Sequence, residues 1–343
     1  MQFLAQYGLF LAKTITWVLA ILLCTGGILS LLRAARQQTG NHLEIKSVNR
    51  RLRELADGLN EQLLNAAEIK KQIAVRKKQE KRDGKRNKKL ATPSKPRVFV
   101  LDFDGDLQAS AVSSLREEIS ALLQVARDED EVLLRLESGG GLVHAYGLAS
   151  SQLVRLRQRR LKLTVAVDKI AASGGYMMAC VADQVLAAPF AIVGSIGVVA
   201  QIPNFNRLLR KHDVDIELHT AGEHKRTLTL LGENTEAGRA KFKEEIEQTH
   251  GLFKSFVADN RPGLDLDKVA TGEHWFGTQA LGLKLVDRIS TSDDYLLSRI
   301  QDAEVYEVHY RRRRPLSERL GDSLTRLAAS LRSATRSEML GSL

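Results

Sequence analysis

Chemistry in this chain starts at Ser173, inside Asp168-Lys169-Ile170-Ala171-Ala172-Ser173-Gly174-Gly175-Tyr176-Met177. The pattern reads as the end of a strand, a tight turn and the start of a helix. The first N–H groups of a helix have no intrahelical acceptor and carry the positive end of its dipole. A hydroxyl placed there can attack a carbonyl carbon while the N–H of Gly174 stabilises the oxyanion that forms. A serine in that place is also among the commonest N-caps, so Ser-Gly-Gly alone does not separate nucleophile from cap. A second stretch, Ser138-Gly139-Gly140-Gly141, lets backbone come close to a ligand, and fits a phosphate loop or a tight turn equally well.

The elements that must position these residues follow from periodicity. Leu161 to Val167 alternates apolar and polar residues as a strand does, and Tyr176 to Val181 is a short apolar helix suited only to an interior. Arg97 to Phe103 and Glu131 to Glu137 are further strands; Ser110 to Arg127 and Leu142 to Arg157 are helices with leucines on one face. Beyond Ser173 the pattern predicts a strand at Gln184 to Pro189, a helix at Pro203 to His212, a strand at Val214 to Leu218 and a long helix at Thr235 to Asn260. Strands alternating with helices imply βαβ crossovers and a largely parallel α/β sheet. Met177 and Met178 are candidates for the wall of an apolar substrate pocket.

Charge divides the chain. The net charge is +10, yet residues 33–97 alone carry +12, leaving −2 for the remainder. The basic character therefore belongs to a tether and not to the folded body. Residues 14–32 form an uncharged run long enough to cross a bilayer core, with Trp17 suited to the interface. Four segments follow: a transmembrane anchor at 1–32, a basic juxtamembrane segment at 33–96, a folded α/β domain at 97–295 and a basic tail at 296–343. In the second segment Leu52, Leu55, Leu59 and Leu63, then Ile69 and Ile73, outline a helix. The tether lacks the interleaved aromatics that stack on bases, which argues against nucleic acid. Cys24 and Cys180 are the only cysteines, and no Cys/His spacing resembles a metal site.

The motif order resembles the signal peptide peptidase A family of membrane-bound serine peptidases. The resemblance covers about residues 97–295. It rests on Ser138-Gly139-Gly140-Gly141, Ala172-Ser173-Gly174-Gly175-Tyr176, Gly194-Ser195-Ile196-Gly197, Ala221-Gly222-Glu223-His224-Lys225-Arg226 and Ala270-Thr271-Gly272-Glu273-His274-Trp275-Phe276-Gly277. It implies a ClpP/crotonase-like fold and a Ser/Lys dyad, with Ser173 as nucleophile and Lys225 as general base. By the same matching Ser195 orients the lysine amine, and the N–H groups of Gly140 and Gly174 are the oxyanion donors. Gly139 departs from the proline usual in the first loop, and Glu273 from the arginine of many relatives.

Residue chemistry agrees with that assignment. A serine hydroxyl attacks only once a base takes its proton, and an amine does so only when neutral. A lysine titrates near ~10.4 in water, so a working base near ~7 to 8 requires a fall of about 3 pH units, supplied by burial. The resemblance implies an acyl-enzyme endopeptidase acting on peptides or proteins, including cleaved signal peptides or hydrophobic segments. No metal or cofactor is expected, a homo-oligomer is, and lipid is met through residues 14–32 and the basic segment. The implied location is the bacterial inner membrane, held by a single pass. The charge pattern favours a cytoplasmic body and the family resemblance a periplasmic one. The rivals are a Ser/His/Asp triad using His224 with Asp183 or Asp168, a crotonase-like acyl-CoA enzyme, a non-catalytic membrane scaffold, and a haloacid dehalogenase-like phosphatase suggested by Asp102-Phe103-Asp104-Gly105.

Overall fold

The computed structural model describes residues 42–65 and 95–312 apart from Glu223, with isolated positions at 13, 14, 16–19, 25, 26, 68, 74 and 78. The expected anchor therefore lies largely outside the described residues, as do Ile69, Ile73 and the tail beyond Arg312. Among the described residues no helix is long and apolar enough to cross a membrane. The chain divides into two compact units, Glu44–His309 and a second made of 1–43 with 310–343. The described part of the second comprises helical positions between 13 and 26 and the ends of two strands.

In chain order the elements are β1 (His42–Ser47), α1 (Val48–Leu63), β2 (Arg97–Gly105), α2 (Val112–Val125), β3 (Glu131–Ser138), α3 (Val143–Gln158), β4 (Lys162–Val167), β5 (Ile170–Ala172), α4 (Gly174–Ala179), β6 (Gln184–Ala187), β7 (Ile192–Gly194), α5 (Asn206–Lys211), α6 (Glu236–Asn260), α7 (Leu266–Val269), β8 (His274–Phe276), α8 (Gly277–Gly282), β9 (Arg288–Ile289), α9 (Ser292–Arg299) and β10 (Glu304–Arg311). The main sheet runs β1-β10-β2-β3-β4-β6-β9. Its pairings from β10 to β9 are parallel, as the alternation of strands and helices predicts.

Alternation along the strands sends side chains to two apolar faces. On one, Val98, Val100, Leu133, Ala166, Leu186 and Val305 pack with Val48 of α1 and Tyr295 and Leu296 of α9. On the other, Leu101, Phe103, Leu134, Leu136 and Val165 are buried, as are Leu115 and Ile119 of α2 and Tyr146 and Leu153 of α3. Each such leucine or valine contributes roughly 1.5–3 kcal/mol through burial. At the N-terminal ends of β2 and β3, Arg97 clamps Asp130 with N–O distances of 2.5 to 3.2 Å, which closes the sheet where polar groups would otherwise meet the core.

A second, smaller strand layer grows from β3. Ala171 of β5 pairs with Ser138, β7 runs parallel to β5, and β8 returns antiparallel to β7. This branch carries Ser173 and Ser195 at the ends of adjacent strands.

Three expectations change. Val214–Leu218 forms no strand: the alternation is there, but no neighbouring strand pairs with it, and Val214, Ile216 and Leu218 stay 41 to 51% exposed. Met178 is fully buried and cannot line a pocket. The sheet also draws in elements from both sides of residues 97–295, with α1 and β10 completing its core.

Candidate active site

Ser173 sits between β5 and α4 with φ 52° and ψ −118°, a conformation that favours glycine. Holding a side-chain-bearing residue there costs on the order of 1–3 kcal/mol. Its N–H donates to the carbonyl of Gly194 at 2.8 Å, and its carbonyl accepts from Met177 at 2.9 Å. The backbone is thereby fixed on both sides. Its hydroxyl makes no capping hydrogen bond to α4 and no bond to another described residue. The N-cap explanation of this serine is therefore removed.

The glycines explain how other backbone reaches the same point. A Cβ at Gly174 would lie 2.4 Å from Cγ of Tyr146, so the first residue of α4 is pressed against that ring. Gly140 has φ +90°, and a Cβ there would lie 2.7 Å from Cβ of Ser173 and 2.8 Å from the nitrogen of Gly174. The glycine loop after β3 thus packs directly on the serine turn. The N–H of Gly140, expected as an oxyanion donor, donates at 3.1 Å to Oγ of Ser138 in this structure. Gly174 keeps the position of a first-turn donor without an intrahelical acceptor.

Ser195 is brought alongside by register, since Ala172 pairs with Gly194. Its φ is also 52°, and its N–H donates to the carbonyl of Glu273 at 2.6 Å. Three supports escaped the sequence reading. Nε2 of His250 lies 3.1 Å from the carbonyl of Ile196. The Trp275 ring fills the space beside Gly194. Tyr146 joins the two glycine loops. A lone histidine carries no spacing signal and Trp275 stood only as one letter of its motif, whereas Tyr146, an aromatic with a polar tip on the helix following Ser-Gly-Gly-Gly, did offer one.

Lys225 stands apart from this group. It lies in an exposed turn, its N–H donating to Gly222 at 3.2 Å, and its amine makes no hydrogen bond or ion pair with a described residue. The arm that carries it is closed at its base: Asn204 Nδ2 donates to Thr229 and Gly232 at 2.9 and 3.0 Å, and the N–H of Phe205 to Leu230 at 2.8 Å. Beyond the base Leu208, Val214, Ile216 and Leu218 are exposed, as is Leu230 within it.

The rival constellations lose most of their carboxylates to structural tasks. Asp168 accepts from the N–H and hydroxyl of Ser292, capping α9, at 2.8 and 2.5 Å. Asp183 accepts from the N–H of Leu163 at 2.8 Å and pairs with Arg157. His224 is exposed. Asp102 is held by Arg135 in a bidentate pair, and Asp106 turns its oxygens onto Gln108 and Ser110. Hydrogen bonds from Ser110 lower the Asp106 carboxyl below its usual range. Cys180 is buried, and desolvation pushes its thiol up to about 12, far from thiolate chemistry.

With this geometry, comparison with known proteins becomes decisive. Residues 2–153 match the N-terminal model of peptidase family S49, and residues 155–306 match the model of peptidase family S49 itself. The chain belongs to peptidase family S49. It is 54% identical over 325 residues to a probable protease SohB of Haemophilus influenzae, covering 93% of this chain and 92% of that one. It is 50% identical over 303 residues to a probable protease SohB of Buchnera aphidicola subsp. Schizaphis graminum, with 88% of each chain covered. A third, from Buchnera aphidicola subsp. Acyrthosiphon pisum, is 60% identical over 236 residues, 69% of this chain and 70% of that one. The S49 assignment agrees with the resemblance that the motif order carries.

Proposed function

We propose that this S49 chain is a membrane-anchored serine endopeptidase on a ClpP/crotonase-like fold, with Ser173 as nucleophile and Lys225 as general base. The observation that carries the reading is the Ser173 hydroxyl, fixed by a strained backbone, free of any cap, and next to the leading N–H of α4. The neutral amine of Lys225 takes the hydroxyl proton as Oγ attacks the peptide carbonyl. The N–H of Gly174 receives the oxyanion, that of Gly140 joins it once its peptide turns away from Ser138, and Ser195 orients the amine. Collapse forms an ester on Ser173 while the lysine ammonium protonates the departing amine. Water then attacks the ester by the same route in reverse roles.

In a single subunit the amine is open to solvent, so the base needs a cover. The apolar side chains along its arm supply a surface that a second copy buries, and loss of water around the amine favours its neutral form. The working state is accordingly a homo-oligomer; sedimentation that finds a fully active monomer refutes this. The anchor at 14–32 holds the enzyme in the bacterial inner membrane by one pass, and a reporter fused after Leu343 reads the side on which the body lies. Substrates are peptides or protein segments, including cleaved signal peptides.

A serine-reactive fluorophosphonate applied to detergent-purified protein tests the central claim. Labelling that disappears in Ser173→Ala supports it. No labelling of folded protein favours a scaffold, and binding of coenzyme A without labelling favours an acyl-CoA enzyme.

A further inference from the structure

A relay of hydroxyl groups joins the glycine loop to the nucleophile turn. Gly140 N–H donates to Oγ of Ser138 at 3.1 Å, Oγ of Ser138 lies 2.6 Å from the phenol oxygen of Tyr146, and that phenol donates to the carbonyl of Asp106 at 2.8 Å. A phenol has one proton, so its donation to Asp106 makes the Ser138 hydroxyl the donor between the two. Ser138 then accepts from Gly140 with a lone pair. Each bond uses a different proton, and the direction runs one way from the Gly140 amide to the Asp106 carbonyl. The relay is dry: Tyr146 is 0% and Ser138 2% exposed. Burial raises the Tyr146 phenol above its ordinary range, which keeps it a proton donor. The same tyrosine presses its ring on Gly174, and a Cβ at Gly105 would meet both its oxygen and that of Ser138 at 2.5 Å.

We propose that Tyr146 and Ser138 are positioning residues for peptide hydrolysis, the tyrosine ring seating the Gly174 amide and the hydroxyl relay holding the Gly140 loop against the Ser173 turn. One buried side chain thereby fixes both walls of the oxyanion site. This inference rests on the reading of Ser173 as the nucleophile.

The test uses full-length protein in detergent, with steady-state hydrolysis of a fluorogenic peptide, fluorophosphonate labelling and thermal melting. Tyr146→Phe and Ser138→Ala each lower kcat about tenfold and leave KM within about twofold, because transition-state and not ground-state contacts loosen. The double variant loses about the same tenfold, since both substitutions cut one relay. Unchanged or raised kcat in both single variants, with Ser173→Ala inactive, overturns the inference and leaves the nucleophile standing. A multiplicative loss of about a hundredfold in the double variant overturns the shared relay. Activity surviving in Ser173→Ala removes the reading beneath. Should Tyr146→Phe melt below the assay temperature, Ser138→Ala, which deletes a single oxygen, decides by the same split between kcat and KM.

Discussion

The turn that holds Ser173 and the arm that holds Lys225 are built on opposite terms. Around the serine, three short strands, a buried helix and a glycine loop lock the backbone, with Ser173 N–H on Gly194 and Ser195 N–H on Glu273. Around the lysine, the described residues between His212 and Thr235 form neither helix nor strand, and apolar side chains meet solvent. A nucleophile must be placed to within a fraction of an ångström by rigid elements. A lysine base must be delivered dry. The difference teaches that one half of the proposed dyad is fixed by this subunit's own sheet, while the other stands on an arm whose apolar side chains are open to solvent.

The comparison breaks most sharply at the serine. Ser173→Ala lowers peptide hydrolysis by at least ~10^4-fold, while the sheet and its melting transition persist; an active variant would abolish the contrast. Lys225→Ala follows with a loss of about 10^3-fold, and His224→Ala stays within about threefold in the same assay. The reverse ranking would transfer the base to the histidine.

Stability sharpens the rigid side. Asp130 loses solvation on burial, but the Arg97 guanidinium and backbone N–H groups outweigh that and hold its carboxyl below the usual range. A carboxylate with a depressed folded pKa stabilises the fold above its unfolded value near ~4, and that contribution disappears as pH falls through the folded value. Asp130→Asn therefore costs about 3 kcal/mol at neutral pH in chemical denaturation, and the gap to the parent narrows below pH ~4. The smallest effect belongs to the arm. Trypsin cuts after Lys225 or Arg226 before any site in β2 to β4, and self-assembly slows that cut by about tenfold. Equal rates at all concentrations would mean that no second copy covers the arm.

Much of the rigid side was legible in sequence. β2, β3 and β4 follow from apolar alternation, and Thr235 announces the start of α6, accepting from the N–H of Gly238 at 3.1 Å. The glycines at 140 and 174 were visible as a need for close backbone approach. What stayed hidden depends on distant partners. β10 looked like part of a basic tail because the segment after it is rich in arginine, although Val305 and Val308 are buried. Val214 to Leu218 showed the alternation of a strand, and period alone cannot supply the neighbour a strand requires. Ser138 appeared only as the first letter of a glycine motif, and its link to Tyr146 becomes visible only when α3 folds back over β3. The same holds for Met178, whose composition suits a pocket and whose helix places it in the interior.

The matched backbone of Ser173 and Ser195, both at φ 52°, has a consequence for stability. Glycine would relax either turn by up to about 1 kcal/mol, and the resulting protein would be sturdier. On the reading of Ser173 as the nucleophile, the strain at both positions is stability given up for the two hydroxyls.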